Sequence, residues 1–403
     1  MRVLMVITTL QPEVGGPSTS AVNCAVAQQM GGAAVTVAST FGDRSPALDW
    51  PELALAGVRH REFRRPAAFG ERGLRWGLSA PFALWILRYA RRFDVIHVHY
   101  VWSLGTIVSV LAGALWRRPV VMTPHESLTT FGLDNSRSGL RRRQKLILRR
   151  LLLAGVDRVV TSSSLEFRDS DLSPDQACVI PYPVPLEDVA TTDPGGPSAE
   201  RRVGYLGRLH PKKRVGDLIA AFARLAPGAT LLVGGDQPPD AFAELRARVV
   251  REGLGDRVKM LGFVAPGDRP AFFASIDVLA MPSSYECFGM VAAEALCAGV
   301  PVVVSERTGM ADLVRRRDVG VVVPVGDTDA LRAALELIIS NPERLSQLRL
   351  QAREAASDEL SLTSYASAIA KVYADVTDGV RRQGPKRPMG PIGGARSKAD
   401  TPA

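Results

Sequence analysis

The chain has 403 residues, enough for two domains with ample cores, and carries a formal charge of +9. Its composition, 46% hydrophobic and 23% charged, is that of a water-soluble globular protein, and no apolar run reaches the ~20 residues a membrane span requires. The four cysteines, Cys24, Cys178, Cys287 and Cys297, form no Cys-x-x-Cys pair, which argues against a disulfide framework or zinc site and for free thiols in a reducing cytoplasm.

Val3–Ile7 reads as a buried first strand and not as a signal-peptide core, because Thr8-Thr9 ends it and no small-residue cleavage site follows. Gly15-Gly16 permits positive φ and close approach of a phosphate, with a plain turn as the alternative. A helix from about Ser18 to Met30 follows Pro17. Ala34–Ala38, Val95–Val98, Val120–Met122 and Arg158–Thr161 are further strand candidates, and their alternation with helices implies parallel strands joined by right-handed crossovers. His97 and His99 share one strand face, where His97 reads as packing. His125 follows Val120–Thr123 at a strand's carboxyl end, where it can hydrogen-bond a ligand or relay a proton.

Between Arg137 and Arg158 eight basic residues stand against one Asp, interleaved with leucines. This is either a packed helix with a solvated basic face or an amphipathic helix that touches anionic lipid. Nucleic acid is not expected, since no helix-turn-helix, zinc or RNA-binding signature accompanies the charge. Pro181–Pro185 and Thr191–Pro197 mark a linker. The second half alternates in the same way through Arg202–Leu206, Thr230–Val233, Val258–Met260, Val278–Met281, Val302–Val304 and Gly320–Val323, with helices such as Arg214–Leu225 and Ala241–Glu252 between. The expected layout is a first domain over 1–185, a linker over 186–200, a second domain over 201–363, a closing helix over 364–378 and a disordered basic tail over 379–403. Ligands of such doubly wound sheets bind beyond the carboxyl ends of the strands.

The most informative stretch is Tyr285–Leu296, which sets Glu286 and Glu294 eight residues apart. At ~1.5 Å per residue two helical positions so spaced lie ~12 Å apart, the scale of the two ends of a nucleotide-sugar. If Gly289 opens a helix, the free N–H groups from Phe288 to Val291 form an anion site between the carboxylates. Two solvated glutamates on an ordinary helix are the alternative. A second cationic site is Gly207-Arg208, with Lys213 five residues on, at the end of a strand. Asp169-Ser170-Asp171 and Asp327-Thr328-Asp329 each spell Asp-x-Asp; the second reads as a helix N-cap, and no metal is expected.

Together these segments resemble the retaining glycosyltransferases of family 4 (glycosyl transferases group 1), which have the GT-B fold. Glu286–Glu294 looks like the family's Glu-x7-Glu motif, Gly207–Lys213 its Gly-Arg-Leu…Lys loop and Val14–Pro17 its glycine loop. Asp94–His99 and Thr123–Glu126 match two further signatures, in the expected order. The resemblance implies two Rossmann-like domains facing a cleft, with the last helix crossing back onto the first domain. It implies that Arg208 and Lys213 neutralise a leaving diphosphate, that Glu286 holds the donor sugar and that Glu294 binds the ribose hydroxyls. Phe288, Gly289, Met290 and Val291 would offer amides, Gly16 (with Gly15) would close on the diphosphate, and Val264 would border the nucleobase.

This chain departs from the family pattern twice. Arg214 follows Lys213 where Gly is usual, which leaves Lys212 as an alternative to Lys213. Glu126 follows His125 where Gly is usual, and this suggests an acceptor pocket adapted to a cationic or hydroxyl-rich molecule. His99, Tyr100 and Glu126 are the acceptor candidates, with His125 beside the sugar. The expected activity is transfer of a sugar from a nucleotide-sugar, UDP-linked sooner than GDP-linked, to a hydroxyl acceptor, with no cofactor. That acceptor is either a lipid-linked glycan at the inner membrane surface, which Trp76, Trp85 and Trp102 would suit, or a small secondary metabolite. A nucleotide-sugar epimerase and a non-catalytic nucleotide-sugar-binding scaffold are the rival readings.

Overall fold

A computed structural model describes residues 1–11, 16–42, 50–66, 76–134, 139–185, 201–235 and 239–382. The first half contains β1 (Arg2–Val6), α1 (Gly16–Met30), β2 (Ala34–Phe41), α2 (Pro51–Leu55), β3 (Arg59–Arg64), α3 (Ala80–Tyr89), β4 (Val95–His99) and α4 (Leu104–Trp116). It continues with β5 (Val120–Thr123), α5 (Thr130–Asp134), α6 (Gly139–Ala154), β6 (Arg158–Thr161), α7 (Ser164–Asp169) and β7 (Ala177–Val179). The second half opens with β8 (Arg201–Leu206), α8 (Val215–Ala223), β9 (Ala229–Gly234), α9 (Pro239–Arg251), β10 (Val258–Gly262), α10 (Arg269–Ala274) and β11 (Val278–Met281). It closes with α11 (Met290–Cys297), β12 (Val302–Ser305), α12 (Ala311–Arg317), β13 (Gly320–Val323), α13 (Thr328–Ile339), α14 (Pro342–Glu359) and α15 (Leu362–Arg382).

These strands form two parallel sheets, ordered β3-β2-β1-β4-β5-β6-β7 and β10-β9-β8-β11-β12-β13. Both faces are covered by helices, so the inner strands are buried on both sides and mostly apolar, with His97 and His99 of β4 among the polar exceptions. In β1, Val3 and Met5 pack toward α1, while Leu4 and Val6 pack toward α3 and α4. Each order reverses once, at β1/β4 and at β8/β11, and these two switch points are where a doubly wound sheet opens a crevice for ligands.

The final helix crosses back onto the first half. Tyr365, Ile369, Tyr373 and Val376, spaced by four, four and three, form the buried stripe of α15. They lie on α1, where a Cβ on Gly31 would come within 2.8 Å of the Ala366 Cβ. The helix is longer than the 364–378 expected, and the tail expected from 379 begins as its last turn. The expected linker over 186–200 lies outside the described residues. Two strands escaped the sequence reading. β3 is a polar edge strand, Arg-His-Arg-Glu-Phe-Arg, and β7 has three residues. The four cysteines are free thiols, and burial pushes Cys24 up to about 12.

Candidate active site

The residues read from sequence as anion ligands lie around the switch point of the second sheet. Gly207 follows β8 directly, and a Cβ on Gly235, just past the neighbouring β9, would fall 1.9 Å from the Gly207 carbonyl oxygen. Only glycine lets the two loops approach so closely. Pro211–Lys213 then forms a 3-10 turn, capped by His210 Nδ1, which accepts from the Lys212 N–H at 3.1 Å.

This turn sends its two lysines to different partners. Lys213 Nζ bonds the Glu286 carboxylate. Lys212 Nζ reaches the first half, where it lies 3.2 Å from each oxygen of Glu126. It also sits 4.6 Å from the ring centre of Phe131 and 5.4 Å from that of Tyr285, two rings stacked 4.6 Å apart. The Lys212 carbonyl accepts from the Ser284 N–H at 2.8 Å, which ties the turn to the loop after β11. Arg208 is exposed beside the same crevice. Burial raises the hydroxyl pKa of both Tyr100 and Tyr205, and the Arg208 charge opposes it at each, which places Arg208 near both halves of the molecule.

Glu286 belongs to no regular strand. Its N–H donates to the Arg307 carbonyl at 2.9 Å and its carbonyl accepts from the Gly309 N–H at 2.8 Å, so its backbone is fixed. Gly289 caps α11 with a φ of 103° and no capping side chain. A Cβ there would lie 3.2 Å from both Met310 Cγ and Thr308 Cγ2, so the position demands glycine on conformation and on space. With no side-chain cap, the N–H groups of Met290, Val291 and Ala292 have no intrahelical partner and form a positive helix end. The expected group began at Phe288. That residue precedes the cap, and its side chain is buried, with the ring edge-on to Tyr182 at 5.1 Å. Gly16 stands opposite the helix end, where an added Cβ would lie 3.8 Å from Met290 Cγ. Gly15 lies outside the described residues.

Glu294, inside α11, is 8% exposed. Arg269 Nη1 donates to its two oxygens at 2.9 and 3.1 Å. Burial pushes the Glu294 carboxyl above the usual range, and Arg269 opposes it. Val264 closes over the end of β9, where its Cγ2 would lie 2.8 Å from a Cβ on Gly234. Asp327 N-caps α13 through the Ala330 N–H at 2.8 Å, as read from sequence. Asp169 of the other Asp-x-Asp pairs with Arg307 at 2.9 Å.

The first half contributes a buried histidine array at the carboxyl ends of β4 and β5. His97 Nδ1 meets the Tyr373 hydroxyl at 2.6 Å, and that hydroxyl donates to Gln28 Oε1 at 2.9 Å. His97 Nδ1 is therefore the donor, and its Nε2 accepts from the Thr123 hydroxyl at 2.9 Å. His99 Nδ1 lies 2.9 Å from His125 Nε2, and His125 Nδ1 lies 2.9 Å from the Tyr182 hydroxyl. Both ring nitrogens of His125 are thus engaged within the protein. Its ring therefore offers no free nitrogen for a direct hydrogen bond to a ligand, one of the two roles read from sequence, while His99–His125–Tyr182 is a hydrogen-bonded chain of the kind the other role, a proton relay, requires. Burial lowers His97 and His125 to about 3 and lowers His99 as well, so all three are neutral at pH 7. His99 Nε2 is buried without a partner among the described residues.

Tyr100, His125 and Glu126 all hold left-handed backbone, with φ of 72°, 49° and 71°. The Glu126 value accounts for the glycine usual in the resembled family: the turn needs positive φ, and a carboxylate occupies it here at a conformational cost. Glu166 stabilises that turn. It is fully buried and accepts the Glu126 N–H at 2.8 Å through Oε1 and the Ser162 N–H at 2.7 Å through Oε2. Burial raises the Glu126 carboxyl, Lys212 opposes it, and Glu286 and Glu166 raise it further. Trp85 packs against Phe63 and Tyr89, and Trp102 donates to the Ser127 carbonyl at 3.2 Å, so neither is a free membrane-facing ring.

The sequence reading missed Tyr182, Tyr373, Arg269 and Glu166. Tyr182 lies within the Pro181–Pro185 run and read as linker, while the others sit on helices with no motif around them. Tyr182 has particular reach. Its hydroxyl meets His125, its ring stacks on His125 at 5.2 Å and it contacts Phe288, so one side chain touches both halves of the site.

Residues 15–183 match the family model "Glycosyl transferase 4-like domain" and residues 192–355 match "Glycosyl transferases group 1". A D-inositol 3-phosphate glycosyltransferase of Corynebacterium aurimucosum is 30% identical over 331 residues, 73% of this chain and 76% of the relative. A 2-deoxystreptamine N-acetyl-D-glucosaminyltransferase of Streptomyces fradiae is 31% identical over 281 residues, 64% of this chain and 65% of the relative. Anabaena HepE, solved in complex with UDP, superposes with a TM-score of 0.74 at 22% identity, covering 93% of this chain and 100% of that one. The likeness shows the same GT-B fold.

Proposed function

The chain belongs to the group 1 glycosyltransferases and is a hexosyl-type glycosyltransferase, and from this we propose that its donor is a UDP-sugar, transferred with retention and without a metal to an acceptor hydroxyl. The observation that carries the reading is the grouping at the β8/β11 switch point. Arg208, the Lys213–Glu286 pair and the uncapped start of α11 stand together there, with Gly16 across the crevice.

In this reading the diphosphate lies against the α11 amides, and Arg208 and Lys213 take up the charge that develops as the glycosidic bond lengthens. A well-placed donor of this kind contributes roughly 3 kcal/mol. Lys213 is assigned to the diphosphate because its partner Glu286 stands at the same crevice, whereas Lys212 reaches across to Glu126 of the first half. Glu286 accepts sugar hydroxyls and Glu294 accepts the ribose hydroxyls beside Arg269. The acceptor hydroxyl attacks from the face the diphosphate leaves, a leaving phosphate oxygen takes its proton, and UDP departs. His125 acts by position, holding the loop that carries Glu126 toward the acceptor side. HepE has also been solved with UDP and glucose and with UDP-glucose, which supports a uridine donor.

The acceptor is a lipid-linked glycan precursor or a small hydroxyl-rich metabolite, and Glu126 is the residue that selects it. No helix among the described residues is long and apolar enough to cross a membrane. The test is a panel of UDP- and GDP-sugars against candidate acceptors with mass-spectrometric readout. Transfer from a UDP-sugar is expected. Conversion of the donor alone into an isomer, or strict use of a GDP-sugar, would overturn the reading.

A further inference from the structure

One outer face of the first half is unlike the rest of the surface. Helices α3, α4 and α6 all cover the same side of the first sheet, where Phe82 and Ile86, Val108 and Ala112, and Leu152 join one buried cluster. None of the three contains an Asp or Glu, whereas α8, α9, α13 and α14 of the second half all do. Their outward residues are basic and apolar together. Leu84, Leu111, Leu115, Ile147 and Leu151 are each more than half exposed, and Trp116 is partly so. Arg88, Arg91, Arg117, Arg143 and Arg150 are exposed among them.

The ends of α3 and α4 are bound into one patch. The Trp116 indole N–H donates to the Leu87 carbonyl at 2.6 Å, Arg118 Nη2 donates to the Arg91 carbonyl at 2.9 Å, and the Arg91 guanidinium lies 5.7 Å from the Trp116 ring centre. Within α6 the charge is divided. Arg149 turns inward to the Ser170 carbonyl and Lys145 to the Gly132 carbonyl, which leaves Arg143 and Arg150 outside beside Ile147 and Leu151.

We propose that this α3–α4–α6 face docks on an anionic phospholipid bilayer. Exposed leucines with an aromatic ring bury apolar area at the acyl boundary, and arginines on and beside helices that carry no Asp or Glu draw in anionic headgroups. Arginine rims and Trp at the polar–apolar boundary suit that interface. The patch lies toward the carboxyl ends of α3 and α4, and the cleft lies beyond the carboxyl ends of the strands, so docking leaves the cleft open. The inference goes beyond sugar transfer and does not depend on it.

The test is sedimentation of the full chain with phosphatidylcholine vesicles, with and without phosphatidylglycerol, at low and high salt. Binding only to the anionic vesicles, weakened by salt, is expected. The exposed substitutions Arg88→Glu, Arg143→Glu and Arg150→Glu together should lower partitioning at least ~10-fold, since each arginine near an anionic surface contributes roughly a five-fold factor. Leu111→Gln, Leu115→Gln and Leu151→Gln together should lower it while keeping the salt dependence. Circular dichroism melts confirm folding of both variants, and UDP titration reports on the cleft separately. Wild-type-like binding by both variants would overturn the proposal. So would binding that vanishes only when residues 383–403 are removed, competition by duplex DNA as strong as by anionic vesicles, or a dimer in solution that the leucine substitutions dissolve.

Discussion

Acidification should destabilise this protein through its buried histidines. His97 and His125 titrate near 3 when folded and near 6.5 when unfolded. Between those values the unfolded chain binds more protons, so the stability they protect is complete above about pH 6.5 and is lost as the pH falls toward 3. Each histidine costs about 1.4 kcal/mol per pH unit in that window, or about 2 kcal/mol between pH 7 and pH 5. The pair costs about 4 kcal/mol, and His99, lowered for the same reason, adds to it. The perturbation is His97→Gln, whose amide can serve both Tyr373 and Thr123 without titrating. Urea unfolding at pH 7 and pH 5 should show the variant losing about 2 kcal/mol less than wild type. Carboxylates elsewhere titrate in both proteins and cancel in the difference. Equal losses would refute the claim that the array is held neutral by burial.

Three further substitutions follow from the geometry. Tyr182→Phe leaves His125 Nδ1 buried without a partner and should cost about 1–3 kcal/mol in thermal or urea unfolding, with slower transfer at an unchanged UDP affinity; wild-type stability would show that the contact is incidental. Glu126→Gln should raise the acceptor KM while UDP-sugar hydrolysis stays the same, and an unchanged acceptor KM would remove Glu126 from the acceptor site. Gly289→Ala places a side chain at φ 103° and 3.2 Å from two neighbours, so it should cost at least ~1–2 kcal/mol and weaken UDP binding in calorimetry; unaltered binding would mean the helix start is not an anion site.

Much of the fold could be read from the chain because the inner strands of a parallel sheet are apolar on both faces. The inner strands Arg158–Thr161 and Val278–Met281 match the sequence reading to the residue, the other inner strands to within a few. β3 was not legible, since an edge strand with one covered face need not be apolar, and its Arg-His-Arg-Glu-Phe-Arg carries no hydrophobic signal. The site was legible where chemistry needs fixed spacing, as in Gly207–Lys213 and Glu286–Glu294. It was not legible where partners meet only in three dimensions. Nothing near Arg269 points to Glu294, and nothing near Lys212 points to Glu126, because each pair joins segments that only the fold brings together. His125 is the instructive case. The sequence placed it at the right strand end, but only Tyr182 and His99 show that its ring nitrogens are spent.

The central claim is that a uridine diphosphate sits between Gly16 and the start of α11, with its phosphates on Arg208 and Lys213 and its ribose on Glu294. Calorimetric titration of UDP into wild type, Arg208→Ala and Glu294→Gln tests it most directly. The account predicts saturable binding by wild type, weakened roughly 10-fold or more in each variant, as expected for loss of one hydrogen bond to a charged group. Equal UDP affinity in all three proteins would contradict it.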